Sequence, residues 1–373
     1  GSLTFFDYND KWSFDSDSIV GLQAIALASD QFSATGQIIA KGFTFDGKPS
    51  YQPKLNWLFA SYEATPSLRI RAGRLRTPLF LYSESLETGL SYPWVRPPVE
   101  MYAHFLEPFA SVDGIDTTWN GALHGHDTEF TFLAGSTHNK YRSRNIDIPK
   151  AFAFTAQTQL SSLKLRYCYN WNRLTIENPD FESLAEIYHN IATLTHEDIF
   201  NRIANRARLD NQVFQYHAIG LQWERDAFFW VLEKFQTVGL RRQYSFENKG
   251  WYTSFGQQLG NFLPYVTVGE YINEMNPQIR QELLDSYEVF PASENNDSAI
   301  DRLREFTLDG ISLLNVSQAS IAVGVRYDIN RHSALKAEAE YFDFNPRGQM
   351  TISGNGDYPN HAIATTIVYD MVF

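Results

Sequence analysis

Four arginines are crowded into one short stretch of the chain. Arg69 and Arg71 are two residues apart, and Arg74 and Arg76 repeat that spacing with the opposite parity. Alternate residues of a β-strand point to opposite faces, so a bulge near Ala72 would be needed to bring all four to one side. Guanidinium groups aligned on one face could steer anionic solutes. The alternative is contact with charged lipid headgroups or solvation of a rim.

Signatures of covalent or metal chemistry are weak. The run His124-Gly-His126-Asp127 contains metal donors but lies where a tight turn is expected, and His189 and His196 make no better case. No nucleophile elbow, phosphate-binding loop or dinucleotide fingerprint occurs. We therefore expect no enzyme, cofactor, metal or catalytic residue. A hydrolase whose Ser, His or Asp come together from distant strands stays open as an alternative.

Composition narrows the class of protein. The formal net charge of −12, with no dominant basic patch, argues against a nucleic-acid partner. The single cysteine, Cys168, cannot form an intramolecular disulfide. No run approaches the ~18 apolar residues of a spanning helix, yet aromatic residues make up 15% of the chain. A large aromatic core in a soluble β-protein would explain this richness, but so would a transmembrane sheet.

Alternating hydrophobicity is the main structural signal. At the end of the chain, Ile363, Ile367, Tyr369, Met371 and Phe373 share one parity. Strands of about ten residues with period-2 alternation are predicted near 3–9, 18–28, 32–42, 53–63, 67–75, 109–120, 126–137, 150–160, 163–173, 212–224, 226–237, 249–258, 261–273, 317–329, 333–344 and 360–373. Tight and long connectors follow one another in turn. The sequence thus predicts an all-β fold, a transmembrane antiparallel barrel of 16 strands with short periplasmic turns, in one domain spanning 1–373.

Some long connectors have helical spacing. Apolar residues recur every three or four positions in 181–208, and similar patterns occur in 277–287 and 297–306. We interpret these as helices in external loops. A soluble α+β enzyme with helical insertions is the runner-up.

The third long connector, about 76–108, is the most distinctive. It contains four prolines before Pro108, which stiffen it and prevent regular pairing. A stiff, partly apolar loop of this length is expected to fold into the barrel and pack on its inner wall. Its charged side chains, Glu84, Glu87, Arg96, Glu100 and Glu107, would then narrow the channel.

These features resemble the general porins of Gram-negative outer membranes. The stretch from Gly73 to Pro78, leading into Ser91-Tyr-Pro-Trp-Val-Arg-Pro-Pro98, is similar to porin-like proteins of gammaproteobacteria. The resemblance implies a third loop that forms the constriction, a basic ladder opposite it, and a trimer. It makes candidates of the five loop residues above and of the wall residues Arg69, Arg71, Arg74, Arg76, Arg166 and Arg326. The loop lacks an obvious acidic triplet, so the family's cation preference does not carry over.

The expected function is passive diffusion of small hydrophilic solutes and ions through an outer-membrane porin. The rivals are a channel selective for a carboxylate or phosphate and a barrel-embedded hydrolase. Expected partners are outer-membrane lipid, lipopolysaccharide and two further copies in a homotrimer, whose interface is predicted to be flat, as around Ala34, Gly36 and Ala40. The Gly1-Ser2 start is expected to follow removal of an export signal peptide.

Overall fold

A computed structural model gives the three-dimensional structure of the chain. It describes residues 14, 18–42, 51–102, 109–141, 144–177, 179–196, 198–239, 246–275, 277, 281, 284–285, 302, 316–344 and 360–373.

The described residues form one antiparallel sheet of 15 strands. The strands are β1 Ile19–Leu27, β2 Phe32–Lys41, β3 Lys54–Thr65, β4 Leu68–Arg76, β5 Ser111–Leu123, β6 His126–Tyr141, β7 Arg144–Leu160, β8 Leu163–Glu177, β9 Leu209–Arg225, β10 Phe228–Gly239, β11 Phe246–Gln257, β12 Phe262–Met275, β13 Val316–Asn330, β14 Ser333–Phe344 and β15 His361–Met371. Each strand pairs with its neighbours in chain order. The helices are α1 Val99–Tyr102, α2 Pro179–Thr195 and α3 Asp198–Ala207.

Fifteen of the predicted strand segments correspond to these strands. The remaining segment, 3–9, lies outside the described residues, so the prediction of 16 strands and the closure of the sheet stay predictions. The greatest difference in length is at β7, which begins six residues before the predicted start. In this added segment Ile146 and Ile148 are buried and alternate with polar residues, but the pairing of β7 with β8 shifts register between Asp147 and Lys150.

The predicted alternation of tight and long connectors holds for most of the described strands, but it is wrong between β6 and β7, where both strands are longer than predicted and only residues 142–143 separate them. Between β5 and β6 the turn is His124-Gly125, with φ of 52° and 81°. Two successive residues with positive φ are typical of the turns that match the twist of a two-residue hairpin. Tight turns also join β7 to β8 and β9 to β10. The long connectors therefore join the strand ends that lie opposite these tight turns.

The connector between β8 and β9 is helical, as predicted. In α2 and α3 the apolar side chains of Ala185, Tyr188, Phe200 and Ile203 are buried, and the rings of Tyr188 and Phe200 are stacked. Of the predicted helices at 277–287 and 297–306, only residues 277, 281, 284, 285 and 302 are described, and these five are helical. None of the described helices is long and apolar enough to cross a membrane.

The two faces of the sheet differ in chemistry. On β15, Ile363, Ile367, Tyr369 and Met371 are exposed, while the alternate residues are half-buried. On β14 the buried parity includes Lys336, Glu338 and Glu340, and the opposite parity exposes Leu335 and Tyr341. The sheet therefore buries charged groups and exposes large apolar ones, which is the inverse of a soluble fold and is typical of a transmembrane sheet.

Candidate functional site

The connector after β4 folds back onto the buried face of the sheet. We call residues 77–102 the inner loop and the face that it packs against the inner face. The loop contains two short 3₁₀ turns, Ser83–Ser85 and Gly89–Ser91, followed by α1. Proline removes a backbone donor and fixes φ, so a chain with Pro78, Pro93, Pro97 and Pro98 cannot join the sheet and instead makes short turns.

Aromatic packing holds the inner loop against one half of the sheet. The ring of Trp94 meets that of Tyr252 edge-on at 5.5 Å between centroids, and Phe80 packs on Tyr102 at 4.5 Å. The buried cluster also contains Leu79, Tyr82, Leu86, Tyr92, Val99 and Met101 from the loop and Tyr216, Phe235, Tyr265, Tyr271, Phe342 and Phe344 from the strands. The inner loop therefore covers the inner face of β9–β14 with a buried aromatic core.

Cations from the sheet hold the loop backbone. Lys336 has no solvent exposure, and its Nζ donates to the carbonyl oxygens of Gly89, Tyr92 and Trp94 at 2.7–3.0 Å. The same Nζ lies 2.9 Å from Asp370 Oδ2. Arg326 donates to the carbonyls of Leu90 and Tyr92, and Arg166 to those of Pro78 and Leu79. The Gly89 carbonyl also accepts the Tyr92 backbone N–H within the loop, and the side chains of the wall supply hydrogen-bond donors to all of these carbonyls.

Carboxylates hold the loop from the same wall. Glu233 accepts the backbone N–H of Leu81 at 2.7 Å and the hydroxyls of Tyr102 and Tyr252 at 2.5 and 2.8 Å. Glu340 on β14 accepts Arg96 Nη2 at 3.1 Å.

The middle of the loop, at Glu84 and Glu87, is held by β2 and β4. Arg71 binds Asp116 through Nε and Nη2, and its Nη2 also lies 2.9 Å from Glu84 Oε1. Glu87 receives Arg76 Nη1 at 2.9 Å and lies 3.6 Å from Lys41 Nζ. Burial alone would raise the pKa of Glu87, but the charges of Arg76 and Lys41 hold that pKa below its usual value.

The predicted site residues separate into two groups by placement. The first group meets at the middle of the inner loop and consists of Arg71, Arg76, Glu84 and Glu87. The second group joins the inner loop to β8, β13 and β14 and consists of Arg96, Arg166 and Arg326. Arg69 is half-buried on the same parity as Arg71. Glu107 lies outside the described residues.

Arg74 is on the outer face, contrary to the predicted alignment of all four arginines. The bulge that this alignment would need does not form, because pairing of β4 with β3 and β5 runs in register through Ala72 and Gly73. Arg74 therefore keeps outward parity and forms a two-bond ion pair with Asp113 at 2.8 Å. Arg76 has the same parity but is the last residue of β4, where the chain turns inward, so its side chain reaches Glu87.

Several residues that anchor the loop were not named as site candidates from sequence: Lys336, Glu340, Asp370, Asp116, Glu233 and Trp94. Glu233 follows the apolar run Phe228–Leu232, and its strand parity could not be assigned from sequence. A charged residue ending such a run was a usable signal. Asp116 and Trp94 carried no local signal, because their partners Arg71 and Ser254 lie 45 and 160 residues away.

The histidines raised by the sequence do not assemble a metal site in the described part of the chain. Within the described ranges, no three His, Cys, Asp or Glu side chains gather closely enough to hold a metal ion. His124 and His126 lie at the β5–β6 turn, and His189 faces Asn201 within the helical connector.

Glu100 gives a prediction for pH dependence. This side chain on α1 is buried and accepts Gln318 Nε2 at 2.7 Å, and burial together with the Glu340 charge raises its pKa from 4.5 to about 7. The folded protein thus keeps a proton that the unfolded chain releases above pH 4.5. Stability is expected to fall as pH rises from 4.5 to about 7 and then to level off, by on the order of 3 kcal/mol.

The check is the thermal unfolding midpoint measured from pH 4 to pH 9. Glu100→Gln should remove most of this slope, because an amide keeps the acceptor without titrating. An unchanged slope in the variant would show that other groups are responsible.

Comparisons with known proteins were made by sequence and by structure. No protein-family model matches the chain, and no curated protein matches it in sequence. Among solved structures, in-vitro folded OmpT, an outer membrane protein of Vibrio cholerae, superimposes with a TM-score of 0.52 at 9% identity over 95% of this chain and 88% of that chain. The anion-selective porin from Comamonas acidovorans gives 0.52 at 8% identity over 96% and 91%.

A third structure, Salmonella typhi OmpF in complex with daunomycin, gives a TM-score of 0.52 at 9% identity over 98% of this chain and 94% of that chain. These likenesses extend over nearly the whole chain, and they agree with its exposed apolar outer face and its consecutive antiparallel strand order. Identities this low establish the fold and nothing further. The chain therefore has the fold of the outer-membrane porins.

Proposed function

We propose that this chain is an outer-membrane channel through which small hydrophilic solutes and ions diffuse down their gradients, without covalent chemistry. The observation that carries the proposal is the polarity of the inner face where the loop does not cover it. Here Glu63, Glu129, Gln157, Lys164 and Glu224 are half-exposed or exposed, opposite an outer face of Ile, Phe and Val. A polar inner face under an apolar outer face suits a water-filled passage through a membrane.

The passage that we propose occupies only part of the interior. In front of β9–β14 the loop and the strands form a dry aromatic cluster. The middle of the loop presents Glu84, whose side chain is 60% exposed, toward Arg71 on β4. Solutes would therefore pass between Glu84 and the inner face of β3–β8.

The proposed selectivity is a modest preference for cations. Arg71, Arg76 and Arg96 each pair with a carboxylate, so their charge is largely neutralised. Among the described inner-face residues nearer the tight turns, Glu63, Asp127, Glu129 and Glu224 outnumber Arg69 and Lys164. This balance disfavours the rival channel for carboxylates or phosphates, which needs unpaired arginines facing solute.

Substitution of single arginines tests this assignment. Arg69 makes no hydrogen bond or ion pair with another described residue, so Arg69→Gln should shift the reversal potential toward stronger cation preference. Arg74→Gln is the matched control: it should leave the reversal potential unchanged and cost under about 1 kcal/mol, because its pair with Asp113 is half-exposed. A larger shift for Arg74 than for Arg69 would reverse the assignment.

We also propose assembly as a homotrimer, with outer-membrane lipid and lipopolysaccharide around it. On the outer face of β2, Ala34 and Gly36 leave a flat strip beside the exposed Ile38. Small side chains permit close approach between barrels. Chemical cross-linking in membranes, with Ala34→Trp to obstruct the strip, should show trimers for the parent and fewer for the variant.

The deciding experiment is single-channel conductance in a planar bilayer under a potassium chloride gradient. Steady steps with a reversal potential of the cation-selective sign would support the proposal, and grouping in threes would support the trimer. Folded protein that gives no conductance would overturn the channel. Block of the current by a phosphate or carboxylate would favour the selective rival, and turnover lost on changing one Ser, His or Asp would favour the hydrolase.

A further inference from the structure

Two cations stand side by side on the outer face of the sheet. Lys150 on β7 and Arg173 on β8 are direct cross-strand partners. Their parity is outward, because the adjacent residues Ala151 and Leu174 are buried on the inner side. Like charges placed directly opposite each other on a sheet are destabilising. Such a pair calls for an anion that neutralises both.

The described protein supplies no such anion. Neither Lys150 nor Arg173 forms an ion pair with a described carboxylate. Arg173 Nη1 donates to Asn211 Oδ1 at 3.3 Å, while its Nε is shielded from solvent and has no acceptor among the described residues. The neighbouring Asp147 Oδ1 lies 2.8 Å from His138 Nε2, and this carboxylate forms no ion pair with Lys150 or Arg173.

The position of the pair identifies the kind of anion. Two residues along the same strands toward the tight turn, Phe152 and Trp171 are the next outward pair, and their ring centroids are 5.6 Å apart. Phe152 is 49% exposed. Further along lie Phe154, Tyr169 and Phe132. Lys150 and Arg173 are thus the first charged residues beyond an aromatic and apolar surface.

The height of the pair agrees with a membrane boundary. Eleven residues separate Arg173 from Ser162 in the β7–β8 turn. At roughly 3.4 Å per residue and a strand tilt of about 40°, this places the guanidinium about 28 Å above the turn, at the upper edge of an apolar band about 25 Å tall. Phosphate groups of lipid headgroups lie at that level.

We propose that Lys150 and Arg173 bind a phosphate group of an outer-leaflet glycolipid, with Phe152 and Trp171 packing against its acyl chains. A guanidinium offers two parallel donors to phosphate oxygens, and the ammonium of Lys150 adds a point charge beside it. The inference rests on the proposed placement of the chain in an outer membrane, but it concerns the outer surface and does not require an open channel.

Binding to vesicles tests the site. The intact protein is reconstituted in phosphatidylcholine vesicles that contain either phosphorylated lipid A or the same lipid without its phosphates, and its affinity for fluorescent lipid A is measured. The parent should prefer the phosphorylated form, and Lys150→Gln with Arg173→Gln should lower that affinity about thirtyfold. Lys249→Gln is the control, since Lys249 is an exposed cation already paired with Glu274, and it should bind as the parent does.

Three results would overturn the inference. They are equal affinity for lipid A with and without phosphate, unchanged affinity in the double variant, and full competition by inorganic phosphate, which would indicate a site for free anions. Folding is verified by resistance of the β-sheet to unfolding in detergent, where loss of the like-charge pair should not destabilise the double variant. Conductance of the same samples separates the two proposals, because a silent channel that still requires the cations for lipid A would refute only the transport function.

Discussion

Replacement of Lys336 by alanine is expected to free the inner loop and to raise the single-channel conductance. The substitution removes one buried ammonium that three carbonyl oxygens and Asp370 share. Loss of one partner of a buried ion pair costs about 3–5 kcal/mol, because the remaining charge stays buried and unpaired. The strand ladder does not depend on this contact, so the sheet should remain folded while the loop detaches.

Two measurements separate loop release from unfolding. Chymotrypsin should cut the variant after Trp94 or Tyr82, which are buried in the parent, while the strands stay protected. Bilayer recordings should show larger and noisier steps. Lys249→Ala is the control, because Lys249 is an exposed cation on the outer face of β11 that pairs with Glu274 and makes none of the loop contacts described. A Lys336→Ala protein with parental conductance and protease resistance would show that the aromatic cluster alone holds the loop.

Glu233→Ala is expected to have the second largest effect. The carboxylate accepts three hydrogen bonds, from the Leu81 N–H and from the hydroxyls of Tyr102 and Tyr252, in a site that is 1% exposed. Each buried donor that loses its acceptor costs about 1–3 kcal/mol. The loop should therefore loosen near Leu81 and near Tyr102. We expect a lower urea midpoint for the first unfolding transition and a higher single-channel conductance.

The size of this effect is measured by urea unfolding in lipid vesicles, followed by tryptophan fluorescence. Glu233→Gln should recover most of the loss, because its amide oxygen still accepts a hydrogen bond. Glu224→Ala, on the exposed part of β9, should change little. If the glutamine and alanine variants are equally unstable, the negative charge is what matters, and the hydrogen bonds are secondary.

The inner loop changes what the charged residues of the chain do. The sequence pattern predicted that loop carboxylates and wall arginines face each other across water. Many of them instead form contacts that fasten the loop, as Arg96 does with Glu340 and Arg76 with Glu87. The side chain of Glu84 stays 60% exposed beside Arg71, and Arg69 is half-buried on the inner face. In the proposed channel both contribute to selectivity together with Glu63, Asp127, Glu129 and Glu224.

The sequence by itself determined the fifteen described strands, and for most of them it also determined the two faces. Ile363, Ile367 and Tyr369 share one parity in the sequence, and they are exposed on one side of β15. A strand encodes its two faces locally, through residues two positions apart, so neither the partner strand nor the register is needed to find them. The prolines of 76–108 likewise predicted a loop that leaves the sheet and packs inside.

Only the tertiary structure decided which charges meet. Lys336 and the Trp94 carbonyl are 242 residues apart, and Arg96 and Thr366 are 270 apart. Their meeting depends on the register of every intervening strand and on the path of the loop, which no local pattern records. The same holds for Arg74: one unbroken ladder through Gly73 placed it outside, because a shift of a single residue in the strand moves a side chain to the opposite face.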